Sequence, residues 1–312
     1  MSRIYFRKAD PGQRGVRGEV IRTIQERLTA LGHDTKGLDG IYGRDTEEAL
    51  RAFQDQHRME VSGRLDEETW KALLGPEPPR LFDRCLQITA DFEGHGFTKA
   101  AGDFDGAGLT WGIIGFNFKS GTLPRVLREI DQRSTALIDE AFGDLAAELR
   151  AVLQRPTSEQ IAWGGGVSEG ASRQSLRGEW AAAFRRLGEL PEAKEIQLNY
   201  TAPYWKRARA DASRFDLATE LGLALCFDIA VQNGGIDAAR HDPDIRAQLQ
   251  AGGAVPERRV RAVIAEVVAR RSNFPEAVRR RKMTLAAGEG EVNRARYSTA
   301  TWGLDDVSPE GA

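Results

Sequence analysis

Between Leu81 and Phe116 the chain sets out a helical apolar pattern, a glutamate, two glycines, an aspartate/glycine turn and an apolar run. That order constrains the fold more than any other stretch. Leu81, Cys85, Ile88 and Phe92 recur at helical spacing, which predicts a helix ending near Glu93. Gly94 and Gly96 follow at once and stop it. Asp103-Phe-Asp105-Gly106-Ala-Gly108 reads as a turn, and Leu109 to Phe116 as a strand. Taken alone, this is a helix–hairpin corner with surface carboxylates. It is also the layout glycoside hydrolysis requires: one carboxyl, protonated in apolar surroundings, donates to the leaving oxygen, while an ionised partner activates water. Glu93 is the candidate acid, Asp105 the candidate base, and Thr110 a hydroxyl to hold the water; Asp103 on the same turn is the rival base.

Glu-Gly, then D-G-x-G-x-T (Asp105 to Thr110), then G-I-I-G-F resembles the lysozyme-like hydrolase superfamily. The closest resemblance is to the chitosanases of glycoside hydrolase family 46, and the stretch is also similar to phage-type lysozymes. Ala107 stands where the chitosanases often carry Arg, and the interval from Glu93 to Asp105 is shorter than theirs. The resemblance implies an inverting glycosidase, with its two carboxyls roughly 6.5–9.5 Å apart.

At 312 residues the chain has room for two domains. Apolar residues make up 41% and charged residues 29%, the composition of a soluble globular protein. A net charge of −2 carries no nucleic-acid footprint. Cys85 and Cys226 lie in apolar helical runs, so buried free thiols are expected rather than a bridge. The opening MSRIYFRKADPGQRG has no basic-then-apolar leader, and no apolar run is long enough to span a membrane. The expectation is therefore synthesis in a bacterial cytoplasm, no membrane insertion, and action on the cell wall after release or non-classical export.

After an extended lead-in over 1–14, residues 15–75 read as three helices. Ile21, Ile24, Leu28 and Leu31 share a face; Asp45-Thr-Glu-Glu48 reads as a capping-box start before Ala49, Leu50 and Phe53; Asp66-Glu-Glu68 starts a helix with Trp70, Leu73 and Leu74. Gly75 and the prolines at 76, 78 and 79 form a linker. I-Q-x-x-L-x-x-L-G, D-G-x-Y-G-x-x-T, A-L-x-x-F-Q and G-x-L-D-x-x-T-W-x-x-L resemble the peptidoglycan-binding domain of bacterial wall hydrolases. Asp39, Tyr42 and Trp70 are its candidate wall contacts; a turn role for Asp39 and core roles for the two aromatics stand beside that reading.

The expected division is 1–75 for wall binding, 76–80 for the linker and 81–312 for catalysis. The fold class is mainly α: a three-helix domain joined to a lysozyme-like α+β domain with a short hairpin. In the second part, helices are expected within 124–153 and at 179–187, 191–213, 214–233, 256–271 and 274–282. A mobile loop is expected over 163–178, and a tail from Gly288 that includes Tyr297 and Trp302 and fades into a polar end. Q-L-N-Y, P-Y-W-x-x-A and C-F-D-I-A-V-Q-N-G-G, between Glu195 and Gly235, extend the chitosanase resemblance. It implies that Asp228 is a buried aspartate holding arginines behind the acid. Asp228 sits among Leu225, Cys226, Phe227 and Ile229, where a charge needs a partner. The run Arg279-Arg280-Arg281 is the candidate source, with Arg281 a supporting residue; which member pairs with Asp228 stays open.

Other chemistries find little support. His95 and His241 are too few and too scattered for a zinc amidase, and Cys226 reads as core rather than as a peptidase nucleophile. No metal and no cofactor are expected. The substrate expected is the peptidoglycan glycan strand and the protein a monomer, a phage or prophage endolysin. A chitosanase, a secreted antibacterial effector, or a wall-binding protein on a decayed lysozyme-like scaffold are the alternatives.

Overall fold

The computed structural model describes residues 3–94, 96–249 and 255–309. It is mainly helical, with short antiparallel hairpins, as expected. Contacts divide the chain into two units, Met1–Phe92 with Tyr204–Ala312, and Glu93–Pro203.

Within the expected extended lead-in, the first unit opens with strand β1 (Ile4–Phe6), which pairs antiparallel with β2 (Leu65–Asp66). Three helices follow as expected: α1 (Glu19–Ala30), α2 (Arg44–Gln56) and α3 (Glu67–Leu74). Their core is Ile21, Ile24, Leu28, Leu50, Phe53 and Leu73, closed by Tyr5 edge-on to Trp70 at 5.8 Å. Asp66 caps α3 by accepting from Thr69 N at 2.8 Å. The expected capping box at Asp45 does not form: the cap of α2 is Gly43, and Thr46 turns inward to accept from Gln25.

Two buried glutamines repeat one device in this module. Gln25 accepts from Gly40 N at 2.8 Å and donates to Ile41 O and to Thr46 Oγ1. Gln54 accepts from Gly63 N at 2.9 Å and donates to Arg64 O and to Thr69 Oγ1. Each carboxamide thus satisfies the backbone of the turn after its own helix, where no sheet or helix partner exists. The proline segment is held as well, since Trp70 Nε1 donates to Glu77 O at 2.7 Å.

Helix α4 (Leu81–Glu93) ends the first stretch of this unit. The second unit begins with the three-stranded sheet β3 (Ala100–Ala101), β4 (Thr110–Trp111) and β5 (Phe116–Asn117). The expected strand from Leu109 to Phe116 is instead a hairpin, because Gly112 and Gly115 take positive φ and turn the chain between β4 and β5. Helices α5 (Thr122–Arg133), α6 (Thr135–Phe142) and α7 (Ala146–Leu153) occupy 122–153. The expected loop over 163–178 is corrected: Thr157–Gly166 is helix α8, followed by a hairpin of β6 (Ser168–Glu169) and β7 (Ser175–Leu176). Helices α9 (Gly178–Glu189) and α10 (Pro191–Asn199) complete the unit. Its core joins Trp111, Phe142, Trp180 and Phe184.

The chain returns to the first unit through α11 (Ala202–Arg214). The helix expected over 191–213 breaks at Tyr200-Thr201, since Pro203 has no N–H and is tolerated only in a first turn. Helix α12 (Glu220–Asn233) is apolar on nearly every side and packs against α14 (Glu257–Arg270) and α15 (Pro275–Ala287), as a fully buried helix must. Helix α13 (Ala238–Leu249), unanticipated, carries Pro243 inside it. The tail from Gly288 forms a hairpin of β8 (Glu289–Val292) and β9 (Ala295–Ser298), and its Tyr297, Trp302 and Leu304 are buried. Cys85 and Cys226 are free, buried thiols, as expected.

Candidate active site

Glu93 closes α4 and is half-buried; Gly94, at φ +64°, takes the left-handed conformation that ends the helix. His95 lies outside the described residues. The turn that follows is held by glycines in close approach. A Cβ on Gly102 would sit 2.4 Å from Arg173 O and 2.5 Å from Ser168 Oγ. A Cβ on Gly164 would sit 2.6 Å from the carbonyl carbon of Gly108. Helix α8 and the β6–β7 hairpin therefore press directly on the 102–109 backbone, which only Gly allows.

Polar groups complete the clamp. Ser168 Oγ donates to Gly164 O at 2.6 Å and accepts from Asp103 N at 2.9 Å. Asp103 Oδ1 accepts from Gly108 N at 2.8 Å, and Arg173 lies 3.7 Å from Oδ2. Gln197, fully buried, accepts from Ile113 N at 2.9 Å and donates to Phe97 O at 3.1 Å. Trp111 Nε1 donates to Phe184 O at 3.0 Å.

The two turn aspartates are thus used differently. Asp103 is half-buried and its carboxylate spans the turn, whereas Asp105 is exposed. Asp105 Oδ1 accepts only the local N–H of Ala107 at 3.1 Å, and Oδ2 makes no hydrogen bond among the described residues. Thr110, on β4 and 8% exposed, makes no side-chain hydrogen bond among the described residues. Phe104, between the aspartates, is 51% exposed, an unusual outlay of apolar surface beside two carboxylates.

In the first unit, Asp228 meets Arg281, one of the three arginines of the candidate run. Arg281 Nε lies 2.9 Å from Oδ2 and Nη2 2.6 Å from Oδ1. Lys282 was not anticipated: fully buried, it donates to Oδ2 at 2.5 Å and to Gln232 at 2.7 Å. Burial pushes the Asp228 carboxyl up, but the Arg281 and Lys282 charges outweigh it and hold it at about 2. Arg279 and Arg280 pair instead with Glu266 and Glu276 on exposed faces.

The wall-contact candidates separate. For Tyr42 and Trp70 the core reading holds over wall contact: they are 1% and 9% exposed, and the Tyr42 hydroxyl donates to Gly63 O at 3.2 Å. Asp39 is exposed and shapes its turn by accepting from Ile41 N and Gln25 Nε2, both at 2.8 Å. Burial raises the Cys226 thiol, and His241 Nδ1 is taken up by Asp237 N, so neither offers a nucleophile or base. Among the described residues no three His, Cys, Asp or Glu side chains gather as a metal site, and no helix is long and apolar enough to cross a membrane.

Comparison with known proteins bears on the N-terminal module. Residues 17–73 match the family model described as "Putative peptidoglycan binding domain". The resemblance carried by the glutamine, D-G and Thr-Trp motifs is borne out. A spore cortex-lytic enzyme of Halalkalibacterium halodurans is 30% identical over 87 residues, 28% of this chain and 24% of that protein. The chain therefore spans about a quarter of that relative's length. Among solved structures, a glycoside hydrolase family 46 chitosanase from Gynuella sunshinyii, in complex with chitotetraose, is similar at a TM-score of 0.45 and 18% identity, over 68% of this chain and 87% of that one.

Proposed function

We propose that the chain is a wall-degrading glycosidase that hydrolyses the β-1,4 bond between N-acetylmuramic acid and N-acetylglucosamine. The observation that carries this reading is the peptidoglycan-binding match at 17–73 on the same chain as Glu93 and the clamped Asp105 turn. A wall-binding module raises the local concentration of glycan at a site that otherwise meets an insoluble substrate rarely. Glu93 acts as general acid, giving its proton to the leaving oxygen. Asp105 orients and deprotonates the attacking water, and the Thr110 hydroxyl steadies it. The mechanism is inverting, which requires the two carboxyls to stand roughly 6.5–9.5 Å apart so that a water fits between them.

The test is incubation of the purified protein with wall suspensions. Turbidity should fall, and new reducing ends should appear on muramic acid. Reducing ends released from chitosan, with wall left intact, would make it a chitosanase; wall binding without any new ends would make it a binding protein. Delivery to the wall is by phage lysis, with export as an antibacterial effector the second route. Finding neighbouring holin and spanin genes would support the first, and finding an adjacent immunity gene the second.

A further inference from the structure

The last turn of α4, which delivers Glu93, is gripped by two segments distant in sequence. Asp91 is 9% exposed, and its carboxylate gathers donors from both. Arg14 Nε and Nη2 reach Oδ2 and Oδ1 at 2.9 Å each, a bidentate fork. Arg17 Nε lies 3.5 Å from Oδ1, and the Tyr297 hydroxyl donates to Oδ2 at 2.6 Å. Arg14 is itself fixed to the C-terminal hairpin, because its N–H donates to Arg296 O at 2.6 Å.

That hairpin also reaches the helix end directly. Asn293 Nδ2 donates to Phe92 O at 2.9 Å, filling one of the carbonyls that a helix terminus leaves without an internal partner. The turn fixes the position: Asn293 and Arg294 both sit at positive φ, 50° and 66°, in the two-residue turn between Val292 and Ala295. Asn is favoured at the first of these positions, and Arg294 stands where Gly is usual. The Phe92 ring packs edge-on to Tyr297 at 4.8 Å, with the Arg281 guanidinium 5.3 Å from its centroid. Residues 91 and 93, two apart on a helix, point in nearly opposite directions. The grip therefore acts on the helix from the side away from the Glu93 carboxyl, and orients it without touching substrate.

We infer that Arg14, Asp91, Asn293 and Tyr297 are positioning residues for Glu93, so that the N-terminal arm and the wall-binding module it leads into are a working part of the catalytic machinery and not only a tether. This rests on the reading of Glu93 as general acid. A tether affects only substrates it can hold. A positioning element affects every substrate.

The test uses the full chain and soluble, peptide-free glycan tetramers cut from peptidoglycan. Arg14→Ala and Asn293→Gly should lower kcat by between about tenfold and a hundredfold, the range that small misplacements of a catalytic group produce, with KM within about twofold. Sedimentation with wall should be unchanged. Arg14→Lys keeps the charge but loses the fork, and should recover only part of the loss. Asn293→Gly guards against a folding artefact, because Gly also adopts positive φ and keeps the turn while only the bond to Phe92 O is lost, so the melting temperature should fall by no more than a few degrees. Wild-type kcat in Arg14→Ala and Asn293→Gly overturns the inference. A wild-type protein that cleaves neither tetramers nor wall overturns instead the glycosidase reading on which it rests.

Discussion

Asp103 Oδ1 accepts the N–H of Gly108 at 2.8 Å, so the first aspartate of the turn is a structural bridge across the second. Asn at 103 keeps an oxygen able to accept that bond. Its pairing with Arg173 is long, at 3.7 Å, and the arginine is 60% exposed, so losing it matters little. Asp103→Asn is expected to cost about 1 kcal/mol of stability or less and to retain most activity. Asp105→Asn should lower kcat by roughly 10²–10⁴-fold, the size of a lost general base, and Glu93→Gln should abolish turnover with wall binding intact. Reducing-end assays on the three variants decide the assignment; a severe Asp103→Asn would move the base to residue 103.

The glycines of α8 should differ in sign. Ala favours a helix interior over Gly by about 1 kcal/mol. At Gly164, however, the added Cβ would meet the Gly108 backbone at 2.6 Å, so Gly164→Ala should destabilise by about 1–3 kcal/mol through overpacking and should displace the catalytic turn. A Cβ on Gly166 meets nothing within 4 Å, so Gly166→Ala should be neutral or stabilising. Urea midpoints of the two variants make the comparison.

Asp228→Asn would leave Arg281 and Lys282 buried without their anion, at a cost of about 3–5 kcal/mol. The acid dependence follows from the lowered carboxyl. Between about pH 4 and about pH 2 the unfolded chain takes up the Asp228 proton while the folded protein still refuses it, so stability falls as pH falls through that window. Above it the contribution is complete. Urea unfolding at about pH 5 and about pH 2.5 should show a drop in the wild type, and a smaller drop in Asp228→Asn.

Gln25→Leu should leave the buried Gly40 N–H without an acceptor and cost about 1–3 kcal/mol. Gln54→Leu should do the same through Gly63 N. Both variants should lose wall retention in sedimentation assays when the turns they hold relax, although neither glutamine is exposed.

The sequence by itself determined what depends on neighbours along the chain. The periodic apolar faces of α1–α4, the stop at Gly94, the buried thiols and the motifs of the wall-binding module are all local patterns, and each appears where the spacing places it. A charge at 228 among apolar neighbours also announced that it needs a partner, because an unpaired buried carboxylate is too costly to keep. The tertiary structure decided what depends on residues far apart. Three consecutive glycines read as a loop until Gly108 is seen against Gly164, where helix packing outweighs the intrinsic cost of Gly. Tyr42 and Trp70 have the chemistry of sugar contacts, and only packing shows them turned inward. The choice of Arg281 over its two neighbours is set by helical phase against α12, and the addition of Lys282 by the depth of that interface. Nothing near residue 14 signals that it grips residue 91, since a fork between groups 77 positions apart is specified by the fold and not by either segment alone.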